Sequence, residues 1–226
     1  MKKMESLRKS LYKRQTELRR VMMSFEQHDL AIQLFLSQHA MLHSARVAPA
    51  GSWSFEDAIL DDMTGEQIRR IPRNCEHSVA WALWHIARVE DVTMNLLVAG
   101  SPQVLDQENW LGKMNITLRD TGNEMDAQGM AALSAEIDVE ALRAYRVAVG
   151  RRTREIVTPL QAQDLRQKVD PFRVQRVWDE GAVVEAGSGI VDYWSKRDVA
   201  GLLLMPATRH NLIHLNEMLG LKQRRR

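Results

Sequence analysis

Two pairs of histidines stand four residues apart, His39 with His43 and His210 with His214, among seven histidines in a chain of 226 residues. On a helix, residues four apart leave the same face one turn from each other. Either pair could therefore offer two imidazole nitrogens to one transition-metal ion, at roughly 2.0–2.1 Å per bond for zinc. Glu217 follows His214 by three residues on that face, where a carboxylate can orient an imidazole or receive a proton. His85 is a third candidate, one turn after Trp81 and next to Trp84. An imidazole among indoles and aliphatic groups needs partners for both ring nitrogens. A metal ion is one such partner; a backbone carbonyl or a carboxylate is another. Spacing alone does not choose between the two pairs, nor between metal ligands and ordinary core or surface histidines. His28 lies on an apolar stripe and His77 in the first turn of a helix, so neither is set apart by position.

Other chemistry is sparse. Cys75 precedes a helix whose dipole could activate a thiol, with His77 close by. The chain contains no G-x-x-x-x-G-K-[ST], G-x-G-x-x-G or G-x-S-x-G signature, which leaves nucleotide cradles and nucleophile-elbow hydrolases without support. Trp81, Trp84, Trp110, Trp178 and Trp194 could wall a pocket, although packing is the ordinary role of such residues.

The elements that must position these side chains are helical. Leu18, Val21, Met22, Phe25, Ile32, Phe35 and Leu36 recur at spacings of three and four, which predicts one long amphipathic helix over 14–43, stopped at Ala48-Pro49-Ala50-Gly51. A shorter helical stretch follows at 54–63. A second long helix starts after Pro72, capped by Asn74 or Ser78, and ends at Gly100 before Pro102. Residues 101–137 form a connection long enough to cover a site. Asp138 opens a third helix that ends near Thr158-Pro159. Alternation around Phe172, Val174 and Val177, with a turn at Asp179-Glu180-Gly181, predicts a small β-hairpin within 171–190. A capping box of Ser195 and Asp198 starts the last helix, 196–219, with Gly220 as its left-handed cap. Pro206 lies inside that helix and deprives the carbonyl of Leu202 of its donor, so a kink is expected one turn before His210. The fold class is all-α: a four-helix bundle with long connections and a β-hairpin before the last helix, in a single domain over 1–226.

Composition agrees. Hydrophobic residues make up 45% and charged residues 27%, which excludes global disorder, and one cysteine excludes an intrachain disulfide scaffold. No apolar run approaches the roughly 20 residues of a membrane span, and the start lacks the core of a secretory signal, so a cytoplasmic protein is expected. The net charge of +2 hides an asymmetry: residues 1–20 and 222–226 hold 12 of the 31 basic residues and two of the 29 acids. The segments 1–13 and 222–226 read as basic, solvated extensions, and a nucleic-acid partner is not expected.

The stretch Ser78-Val-Ala-Trp-Ala-Leu-Trp-His85-Ile-Ala-Arg-Val-Glu90-Asp91, together with Thr208-Arg-His210-Asn-Leu-Ile-His214-Leu-Asn-Glu217, resembles the DinB/YfiT-like superfamily of bacterial four-helix-bundle proteins. The resemblance implies a three-histidine metal site, one ligand from the second bundle helix and an H-x-x-x-H pair from the last: His85, His210 and His214. It further implies a divalent transition ion, zinc or nickel foremost and iron as a third choice, that activates water or a low-molecular-weight thiol in a hydrolase or a thiol-dependent S-transferase. Glu217 is the residue for acid–base or orienting work. A related iron-dependent sulfoxide synthase domain carries H-x-x-x-H-x-E; here the glutamate comes one position later, which argues against copying that chemistry. The rival expectation is a non-catalytic metal-binding or stress-response bundle acting through association. A homodimer and a small-molecule substrate or thiol cosubstrate are the expected partners.

Overall fold

The computed structural model describes residues 2–48 and 53–224. Of the breaker cluster expected at Ala48–Gly51, all but Ala48 lies outside the described residues. Helix α1 spans Lys2–Met22 and α2 spans His28–Leu42. The single helix predicted over 14–43 is broken at Ser24, whose φ of −98° and ψ of 118° are extended, and α1 folds back against α2. A straight helix of that length would run about 44 Å, longer than the core it has to cover. Folding back places Leu18, Val21 and Met22 in one cluster with Ile32 and Phe35.

Helices α3 (Phe55–Leu60) and α4 (Gly65–Arg69) follow, capped by Ser54 and Thr64. Helix α5 spans Val79–Asp91. Its cap is Ser78, whose hydroxyl accepts the Trp81 N–H, while Asn74 is not the cap. Wider π-type turns over Val92–Ala99 prolong it to Gly100, which ends it in the left-handed conformation as expected, at φ +66°. The 101–137 connection carries α6 (Trp110–Lys113) and α7 (Ala127–Glu136). Helix α8 spans Val139–Val157 behind its cap Asp138.

The predicted hairpin is absent. Residues 171–190 instead form α9 (Pro171–Asp179) and the start of α10 (Ser188–Ser195). Asp170 caps α9, Pro171 takes the first-turn position where its missing N–H costs nothing, and Val174 and Val177 fall at helical spacing. Among the described residues the only strand-like pairing is an isolated bridge between Lys168 and Asp198. Ser195 belongs to α10, so Asp198 alone caps α11 (Val199–Leu204) by accepting the Gly201 N–H. After a π-type segment, Met205–His210, the chain continues as α12 (Asn211–Gln223). Gly220 is an ordinary helical residue there. Buried Leu221, and Lys222 Nζ donating to the Ile59 carbonyl at 2.7 Å, hold the extra turn on α3.

Pro206 does more than kink this helix. The segment from Met205 to His210 takes π-type register, and the freed carbonyls are claimed by side chains. Thr208 Oγ1 donates to the carbonyls of Leu203 and Leu204, both at 3.0 Å, and Gln15 Nε2 from α1 donates to the Leu204 carbonyl at 3.0 Å.

Helix α5 packs against α8 and α12, and α2 touches both. Glu90, fully buried on α5, joins all four. Its carboxylate accepts His39 Nε2 and His43 Nε2 at 2.9 Å each, Thr153 Oγ1 at 2.7 Å and Asn211 Nδ2 at 2.7 Å. Burial alone would raise its pKa, but His43 and His39 outweigh burial and hold the carboxyl well below the usual range. Arg146 on α8 stands 3.7 Å away and ion-pairs with buried Glu56 at 2.6 Å. Beside it, Asp91 fixes the connection that follows α5. It accepts Arg88 at 3.0 Å, Tyr145 at 2.6 Å, Asn95 at 2.8 Å, and the backbone N–H groups of Val104 and Leu105 at 2.8 and 3.0 Å. Trp84, Trp194, Trp110 and Trp81 are all buried in packing positions rather than around an open pocket. No helix is long and apolar enough to cross a membrane among the described residues.

Removing the charge at Glu90 leaves four donors and Arg146 facing a neutral group. Glu90→Gln is expected to lose about 3–5 kcal/mol of stability in urea denaturation at pH 7. An unchanged midpoint would mean that the four helices do not depend on this carboxylate.

Candidate metal centre

Helix α5 delivers His85 and the Met205–Gln223 stretch delivers His210 and His214. The three side chains converge, each offering one nitrogen within 4.8 Å of the others. Their ring centroids lie 4.9, 4.9 and 4.5 Å apart. His85 is buried, whereas His210 and His214 are half-buried.

The outward-facing nitrogens are set by what the other nitrogens do. His85 Nδ1 lies 2.7 Å from the Thr121 carbonyl, an acceptor, so it carries the proton and Nε2 presents a lone pair. His214 Nδ1 is likewise committed to Glu217 Oε2 at 2.7 Å. His85 Nε2 stands 3.1 Å from His210 Nε2, while His210 Nδ1 is buried with no partner. Two nitrogens bound to one zinc ion at roughly 2.0–2.1 Å in tetrahedral geometry stand about 3.4 Å apart, close to this separation. The donor set therefore fits a divalent ion on chemistry and on spacing: three imidazoles that each offer one nitrogen to a common point, with His85 presenting a lone pair there.

The surroundings keep His85 and His210 neutral. Burial, reinforced by His214, pushes His85 down to about 4, and burial with the neighbouring His85 pushes His210 well below its ordinary value. Glu217 is held below the usual carboxylate range by its hydrogen bonds from His214 and His77. His77 Nε2 meets Glu217 Oε1 at 3.0 Å, and although burial opposes it, that bond raises the His77 pKa. His77 stacks on Trp81 at 4.5 Å, and Trp81 stacks on His85 at 4.8 Å with the rings 5° from parallel. One carboxylate thus connects a half-buried histidine to His214, and one indole supports His85.

Thr121 reaches His85 because Gly122 follows it in the left-handed region, φ +72°, where a Cβ would stand 3.1 Å from Trp81 Nε1. The long connection therefore does cover the site. Cys75 is not at the α5 terminus, which starts four residues later; its sulfur accepts from Arg224 at 3.1 Å.

The rival pair also comes together, with Glu90 as a third group. The rings of His39 and His43 stack 3.8 Å apart, both fully buried. Its third group is an anion that already has partners. His43 stands 3.0 Å from the His39 carbonyl and 2.9 Å from Glu90, and burial with Arg146 nearby lowers its pKa to about 3. Glu90 also accepts from Thr153 and Asn211 and has Arg146 at 3.7 Å, so protein donors meet its charge.

A sequence model described as the DinB superfamily matches residues 52–218. The chain belongs to the DinB superfamily. The span shared with the DinB superfamily contains His85, His210, His214 and Glu217 and leaves out His39 and His43. No curated protein matches the chain. Sequence reasoning missed Thr121, which acts through its backbone, and His77, whose only signal was its distance of eight residues from His85. It also gave Glu90 no role.

The unfolded chain protonates His85 below about 6.5, and the folded chain does so only near 4. Stability of the metal-free protein is therefore full above about pH 6.5 and falls between 6.5 and 4, by up to about 3 kcal/mol from this residue. Denaturation midpoints over that interval measure the loss, and His85→Gln should flatten it. A wild-type profile no steeper than the variant's would contradict the buried neutral imidazole.

Proposed function

We propose that this chain is a metal-dependent enzyme in which His85, His210 and His214 hold one divalent transition ion. The supporting observation is the convergence of three imidazoles whose other nitrogens are tied to Thr121 and Glu217 or left buried without a partner. The frame assigned to it is a four-helix bundle of α2, α5, α8 and α12.

A divalent ion bound by three neutral imidazoles retains open positions and supplies a Lewis acid for bound water or for the thiolate of a cosubstrate. Zinc or nickel suits a nitrogen-rich site best, with iron next. The chain's own groups do the rest. Thr121 and Glu217 fix which nitrogen each imidazole presents, and the Trp81 face keeps water from one side of His85. Glu217, 39% exposed at the edge of the site, stays ionised and orients His214 on one oxygen and His77 on the other. The reactions that use these groups are hydrolysis of a small molecule and transfer to a low-molecular-weight thiol.

Metal content after reconstitution and dialysis tests the reading. Wild type should retain one ion per chain, and His210→Ala and His214→Ala should retain none. His39→Gln should keep its ion if it folds. Glu217→Gln should weaken affinity about 10–100-fold by freeing the His214 ring. A wild type that stays metal-free removes the proposed mechanism. A loaded protein inactive towards both thiol–electrophile pairs and hydrolysable esters or amides would favour a binding role.

A further inference from the structure

A second feature shares the Met205–His210 segment but is lined by none of the three histidines. A solvent-open groove of about 660 Å³ runs between α1, the α10–α11 turn and that segment. Its size falls within the roughly 300–1,000 Å³ of small-molecule sites. Five basic residues line it: Arg19 from α1, Lys168 from the link before α9, Lys196 and Arg197 from the turn, and Arg209 from the π-type segment. They are far apart in sequence, and the fold gathers them. The backbone bonds Val199 N to Gln167 O at 3.0 Å and Val169 N to Arg197 O at 3.3 Å hold Lys168 beside the turn.

The gathering is not neutralised from within. Asp198 is the one acid in the lining, and it is occupied as the cap of α11, accepting the Gly201 N–H at 2.8 Å. Lys196 is paired with Asp192 at 2.5 Å. Among the described residues, Arg19, Lys168, Arg197 and Arg209 have no acidic partner. Outside residues 1–20 and 222–226 the chain has 27 acids to 19 bases, so Lys168, Arg197 and Arg209, unpaired with acids, run against the charge of that part. Arg197 is also preorganised. Its guanidinium lies 4.0 Å over the Tyr193 ring, and its Nε is buried with no acceptor. Stacking fixes the plane of the fork and leaves its N–H edge to a ligand.

We propose that this groove binds a small organic anion through a phosphate group. Like charges gathered from four chain segments with one acid among them make a surface that favours an anion. A tetrahedral phosphate accepts from several directions at once, which matches donors arriving from α1, the turn and the π-type segment; a planar carboxylate accepts mainly in its own plane. The proposal does not depend on the metal reading.

Inorganic pyrophosphate titrated into the purified chain by calorimetry at low ionic strength tests it, with citrate as the carboxylate comparison. Saturable one-to-one binding of pyrophosphate, tighter than of citrate, is expected. Arg197→Gln and Arg209→Gln should each weaken it about tenfold or more. Lys168→Gln, an exposed change that leaves the core intact, should weaken it too, and Lys113→Gln, remote from the groove, should not. His210→Ala should retain the affinity. Absence of saturable binding, equal affinity in the folded groove variants, citrate binding as tightly as pyrophosphate, or loss in His210→Ala would each overturn the proposal.

Discussion

A carboxylate with no access to water has to have its charge held by protein donors, and every donor recruited fixes the element it comes from. Glu90 is such a group. Its donors come from α2 and the residue just after it, from α8 and from α12, while Glu90 itself rides on α5. Two of these contacts bear directly on the metal centre. Asn211 is the residue after His210, so its bond to Glu90 sets the rotation of the helix that carries two of the converging histidines. His85 lies five residues before Glu90 on the same helix, so the carboxylate fixes the depth of α5 against α12. Apolar packing could tolerate a small slide between these helices; a buried ion with four specific donors cannot, because a slide would expose unpaired charge to a low-dielectric interior.

The stretch from Met205 to His210 shows how a local defect is put to use. Pro206 cannot donate to Leu202, and the backbone answers by widening its turn rather than by ending the helix. The carbonyls this frees would be costly if left bare in the interior. Thr208 covers them from within and Gln15 from α1. The first helix, which lies wholly before the part of the chain shared with the superfamily, is thereby joined to the helix that carries His210. The same segment forms one wall of the basic groove.

Much of the architecture was legible because it rests on local rules. Ser78, Asp138 and Gly100 mark helix boundaries through their own hydrogen bonds or conformations, and each acts where its type predicts. Errors arose where a local signal was overruled by packing. Ser24 has no side-chain cap bond, and nothing near it in sequence announces that α1 must fold back onto α2. Around Phe172 the alternation resembles a strand, yet Asp170-Pro171 is a helix start, and an 84% exposed Phe172 shows that the alternation marked no buried face. Gly220 lost its expected role because Leu221 found a place in the core beyond it. The histidines themselves were visible, but their partners were not. Thr121 contributes only a carbonyl and Gly122 only its freedom to adopt positive φ, and neither leaves a side-chain signature.

The two H-x-x-x-H pairs show why spacing underdetermines chemistry. Both place two imidazoles within reach of each other, and in both a third group from α5 completes the triangle. At His39 and His43 the third group is an anion, fully buried, whose charge Arg146, Thr153 and Asn211 share with the two rings. That set has no unmet demand for a cation, and its service is to hold helices. At His210 and His214 the third group is another imidazole, so three neutral-capable nitrogen bases converge, with His85 Nε2 3.1 Å from His210 Nε2, and a cation placed among them would meet lone pairs rather than an anion. The carboxylate that belongs to this second set, Glu217, stands behind His214 rather than among the converging nitrogens. It orients the ring without filling its place. The identity of the residue supplied by α5, histidine in one cluster and glutamate in the other, is therefore what distinguishes a candidate ligand set from a buried clamp, and the two stand only five residues apart on one helix.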